Sequence, residues 1–169
     1  MAGALFLIAS NFAAAEEVTF PDGLTCPEEI AGGERISVAL ETRTPGVLGY
    51  CVYYLLGETD LESVTLTLRV ADDSYDWDAS FKAPKIDKGG MRLVEEGPQS
   101  APFGDAEREA TMITLTIEEE ELGPITESFA TLWVFDLGDG RVVSLEEEYN
   151  NISAEMRGPL RDALLKAQG

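Results

Sequence analysis

The chain has 169 residues, 44% of them hydrophobic and 26% charged, which suits one domain with a real core and argues against disorder. Lys and Arg number 12 against 32 Asp and Glu, for a net charge of −20, and there is no histidine. That field repels phosphate backbones and anionic lipid surfaces, so no nucleic-acid partner is expected, and the missing imidazole removes histidine bases, metal ligands and pH switches.

The first predicted element is an export signal. Residues 4–9 form an unbroken apolar run, Ala13, Ala14 and Ala15 follow, and Glu16 and Glu17 begin an abruptly acidic stretch. This pattern predicts a signal peptide over residues 1–15, cleaved after Ala15, and a single β-rich domain over 16–169. The segment departs from the usual pattern in having no basic residue, the first cation being Arg35. Its apolar run is too short to span a membrane. Gly23, Leu24 and Thr25 ahead of Cys26 do not read as a lipobox, so no lipid anchor is expected. A periplasmic or secreted location follows. In that setting Cys26 and Cys51, the two cysteines of the chain, are expected to pair as a structural disulfide.

Period-2 alternation dominates the remainder. Ile36, Val38 and Leu40 share one face of a strand over 35–41. Residues 50–56 are apolar on both faces, as in an interior strand. Val64, Leu66, Leu68 and Val70 point inward from a strand over 63–70. A turn at 71–74 leads to a further strand, with Tyr75, Trp77, Ala79 and Phe81 on one face, as a hairpin. Between about 84 and 110, four glycines and three prolines predict an irregular loop with at most a short strand at 91–94. Ile113, Leu115 and Ile117 mark another strand, and residues 129–135, with Trp133, a central one. Asp139-Gly140 predicts a hairpin into 142–145. Gly158-Pro159 opens a short C-terminal helix with Leu160, Ala163, Leu164 and Ala167 on its apolar side. The expected fold is all-β and mainly antiparallel: a β-sandwich of about seven or eight strands with a short C-terminal helix, or alternatively a small β-barrel.

Chemistry is sparse. Without histidine the Ser-His and Cys-His arrangements fail, and Gly-x-Ser-x-Gly, Ser-x-x-Lys and phosphate-loop motifs are absent from the sequence. Carboxylates are plentiful. Asp76 and Asp78 around Trp77 approximate a glycosidase pair, but at i and i+2 on a strand they read as a solvated face. Clustered oxygens suit calcium better, and Asp72, Asp73, Asp76 and Asp78 are the candidate ligands, with Asp136 and Asp139 at a second turn. No other cofactor is expected. The runs 118–121 and 146–148 read as strand ends and solubilising charge. Asn151-Ile152-Ser153 is a glycosylation sequon in a eukaryotic host. Tyr50, Tyr53, Tyr54, Trp77 and Trp133 read as core and cross-strand aromatics, or as a pocket lining if the fold is a barrel.

The sequence therefore points to an exported, non-catalytic β-domain, a binding or accessory module for an unknown protein or envelope component. The partner would be met through the 84–110 region or an exposed sheet edge. The alternatives are a carrier of small apolar ligands and a carboxylate-based glycan hydrolase.

Overall fold

The computed structural model describes residues 17–20, 24–117, 128–152 and 154–168, and the side chains of these except 154–157. The proposed signal peptide and the whole acidic run at 118–121 lie outside the described residues.

Among the described residues ten strands run in chain order: β1 (Val18–Thr19), β2 (Thr25–Cys26), β3 (Glu29–Ile30), β4 (Gly33–Ala39), β5 (Val47–Leu56), β6 (Ser63–Asp72), β7 (Met91–Phe103), β8 (Ala106–Ile117), β9 (Ser128–Asp136) and β10 (Arg141–Asn150). A short helix, α1 (Ala83–Asp87), precedes β7, and α2 (Ala154–Lys166) follows β10. Strands β1 and β2 form a small ladder of their own, and the other eight make one antiparallel sheet in the order β3-β4-β5-β6-β10-β9-β8-β7. The mainly antiparallel architecture is the one the alternation predicts. The barrel alternative is not realised, because β3 and β7 end the sheet without pairing to each other.

Each side-chain row crosses many strands. On the inner face one row reads Met112, Trp133, Leu145, Leu68 and Cys51, from β8 to β5. These inner residues join Leu160, Leu164 and Leu165 of α2 in the main core. Helix α2 touches both end strands, β7 and β3, and at the start of β4 an added Cβ at Gly33 would stand 2.9 Å from a Leu160 methyl. The sheet thus curls around α2, which fills its open side and makes the fold sandwich-like. Polar fastenings secure the end of the helix. The Gly104 N–H donates to Leu165 O, and Thr25 and Gln168 exchange backbone–side-chain hydrogen bonds in both directions. The Cys26–Cys51 disulfide ties β2 to β5 within this core, as the cysteine count predicts.

The strands predicted at 50–56, 63–70, 111–117 and 129–135 all form, and Asp139-Gly140 lies in the β9–β10 turn. Four expectations are corrected. Residues 75–81 do not make a strand: Asp78–Lys82 is a π-helical turn running into α1. Trp77 and Phe81 share a side at four-residue as well as two-residue spacing, and Asp76 Oδ1 accepts the Ala79 N–H, which starts the turn. The region 84–110 is no irregular loop but chiefly the β7–β8 hairpin, in register from Met91–Ile117 to Phe103–Ala106 with one bulge. Pro98 and Pro102 fit because β7 is an end strand, whose outer side has no partner for a backbone N–H. Helix α2 begins at Ala154, four residues before Gly158, and carries Pro159 inside it. Finally, Ile36, Val38 and Leu40 are exposed, since a bulge at Ile36 shifts β4 near the sheet margin.

Candidate functional site

The outer face of the sheet carries two adjacent hollows. One of its rows reads Thr111, Val134, Ser144, Arg69 and Tyr50, across β8, β9, β10, β6 and β5. Thr111 and Val134 line an open depression of about 370 Å³, together with Ile113, Tyr75, Trp77, Asp76, Asp78 and Glu96. Arg69 and Tyr50 line a second of about 300 Å³, with Val52, Thr67 and again Tyr75. Tyr75 therefore belongs to both hollows. Ser144 lies in the row between them, fully buried, and its Oγ is the buried side-chain oxygen or nitrogen without a hydrogen-bond partner among the described residues.

The segment that makes this wall is local in origin. Asp72 accepts hydrogen bonds from the N–H and hydroxyl of Ser74, which turns the chain out of β6. Those bonds hold the Asp72 carboxyl below its usual pKa. The backbone of Tyr75 then lies against Gly46, where an added Cβ would meet it at 3.0 Å, in the left-handed conformation (φ 78°) that glycine supplies. Tyr75 and Trp77 pack edge to face, their centroids 4.4 Å apart. Phe81 beyond them is buried on Ile113, Leu115, Ala130 and Leu132 and anchors the segment. Around the rings, Lys82 Nζ bridges Asp78 at 3.1 Å and Glu96 at 3.2 Å, and these bonds raise the lysine pKa. Two of the three carboxylates of this hollow, Asp78 and Glu96, thus share one ammonium group, and Asp76 accepts the Ala79 N–H.

The other aromatic candidates separate. Tyr53 and Trp133 are core residues: Tyr53 donates its hydroxyl to Pro27 O at 2.8 Å, and burial raises its pKa against the pull of Arg35. Tyr54 is exposed on β5. The calcium candidates do not converge. Asp72 serves its turn, Asp76 caps Ala79, Asp78 pairs with Lys82, and Asp73 is exposed. At the other turn Asp136 accepts the Gly138 N–H, and Asp139 pairs with Arg141. Among the described residues, no group of three or more acids and cysteines is placed to hold a metal ion. No helix there is long and apolar enough to cross a membrane.

The acidic run 146–148 is the feature that sequence reasoning misplaced. These residues sit inside β10, in the middle of the sheet, not at its end. Alternation sends Glu146 and Glu148 to the outer face and Glu147 to the inner one. Glu146 accepts from Arg69 at 2.7 Å and from Lys85 at 3.1 Å, and Lys85 also pairs with Glu148. Burial pushes the Glu146 pKa upward, but the two cations outweigh it and hold the carboxyl below its usual value. Glu147 is only 2% exposed. It accepts the Trp133 indole N–H and faces Arg161 of α2 at 3.9 Å. Burial dominates there and raises its pKa to about 7.

Compared with known proteins, the chain matches no family model and no curated relative.

Proposed function

We propose that the protein is an exported, non-catalytic binding module that holds a cationic segment of a protein or envelope component on its outer face. The observation that carries this reading is the Tyr75–Trp77 hollow, where two half-buried rings stand among Asp76, Asp78 and Glu96 on a chain of net charge −20. Ring faces attract cations, and carboxylates beside them add charge-assisted hydrogen bonds. The surrounding field steers a basic partner towards the site. Tyr75 extends the surface into the second hollow, so an extended segment crossing the strands has room beyond one side chain. Export accords with the disulfide and with the signal-like pattern of residues 1–15.

The carrier reading is less well supported, because the inner apolar face is packed against α2. The hydrolase reading has less support still, since Asp76 and Asp78 are engaged in capping and pairing at an open surface.

Titration with short Lys/Arg peptides, followed by calorimetry at two salt concentrations, tests the proposal. Binding is expected to weaken with salt and to fall roughly tenfold or more in Trp77→Ala. The control Glu109→Gln, on exposed β8 surface, is expected to leave it unchanged. No binding, or equal losses in both variants, would overturn the reading.

A further inference from the structure

The β10 glutamate on the inner face has no part in the proposed binding surface. We infer that Glu147 and Arg161 form a proton-operated latch that governs how firmly α2 seats across the open side of the sheet. Glu147 lies in a row reading Thr114, Thr131, Glu147, Leu66 and Tyr53, from β8 to β5. From β9 it meets the Trp133 indole N–H, with Thr131 directly opposite. From β6 it meets apolar Leu66. From α2, among the described residues, the charged groups acting on it are Arg161 and Asp162. Tyr53, one strand further along the row, is committed to Pro27.

The pairing is poor for so buried a charge. The Arg161 guanidinium reaches Oε1 only at 3.9 Å, binds Asp162 at 2.7 Å, and stacks 5.0 Å from the Trp133 ring centroid. A buried carboxylate with one distant counter-ion is destabilised by lost hydration more than it is stabilised by the ion. The seated helix therefore favours the protonated acid, consistent with its raised pKa of about 7. When α2 lifts, Glu147 meets water and returns toward the ordinary value of 4.5. Seated binds the proton and lifted releases it, so rising pH favours lifting up to about pH 7 and has no further effect well above it. The part set free is the side of the fold closed by Leu160, Leu164 and Leu165.

Hydrogen exchange of the α2 amides, corrected for intrinsic rate, reads the latch. In the wild-type protein the open fraction is expected to rise roughly thirtyfold between pH 5.5 and 8. In Glu147→Gln, which is isosteric and cannot ionise, it is expected to stay flat, as does Trp133 emission. Unchanged pH dependence in that variant, or no pH dependence in the wild type, would overturn the latch. Should Glu147→Gln fail to fold, carboxyl carbon NMR of the wild type decides instead: titration near pH 7 supports it and titration below pH 5 refutes it.

Discussion

Glu146 and Glu147 are adjacent in sequence and titrate in opposite directions. Glu146 has its pKa depressed by Arg69 and Lys85, so its contribution to stability is present above the unfolded value near 4.5 and is lost as pH falls through the folded value. Glu147 has its pKa raised by burial, so stability declines as pH climbs from about 4.5 to about 7 and then levels off. Arg69→Met separates the two. It leaves Glu146 with Lys85 alone in a largely buried position and is expected to cost about 2 kcal/mol in urea unfolding at pH 7. The loss should shrink in acid, once the carboxyl is protonated in both proteins, while the slope between pH 5 and 7 should remain. None of this was legible in Glu-Glu-Glu. A charge run reads as a solvated face unless the counter-charges are known, and Arg69, Lys85 and Arg161 come from three other elements, up to 77 residues distant in the case of Arg69.

At the scale of elements, strands were legible where one face is apolar and the other polar. β6 is the clear case, because its core face demands alternation. Two segments failed for identifiable reasons. Trp77 and Phe81 satisfy a helical turn and a strand equally, so the capping bond from Asp76 decided between them. β7 reads as a loop by composition, yet an end strand tolerates the prolines that a central one rejects. Composition reports which backbone bonds a segment cannot make, not whether a neighbour requires them. The β3–β4 turn shows the converse, a tight turn closed by a residue poorly suited to it. Ala31 and Gly32 both adopt positive φ, at 48° and 84°, in a two-residue link between Ile30 and Gly33. This conformation suits Asn-Gly, and a left-handed alanine costs about 1 kcal/mol. Ala31→Asn is therefore expected to raise stability by about 0.5–1 kcal/mol, read as a higher denaturation midpoint with an unchanged slope.

For the molecule as a whole, closure is the physical problem. Eight strands curl without joining, and both margins of the sheet depend on α2. The sequence indicated the helix and the disulfide but not that they act on one core, because the cross-strand rows bringing Cys51 into line with Leu68, Leu145 and Trp133 exist only after β10 pairs with β6. The Cys26–Cys51 bond closes a 25-residue separation around β3 and β4, the margin that α2 holds least extensively. Chain entropy assigns a loop of that size about 3–4 kcal/mol. The Cys26→Ser, Cys51→Ser protein is expected to lose about that much in urea unfolding and to show it first as faster hydrogen exchange in β3, β4 and the end of α2. Exchange in β8 and β9, on the far side of the sheet, should change only through global unfolding. An equal acceleration in every strand would mean that the two margins open as a unit, and that α2, rather than the disulfide, sets the cooperativity of the fold.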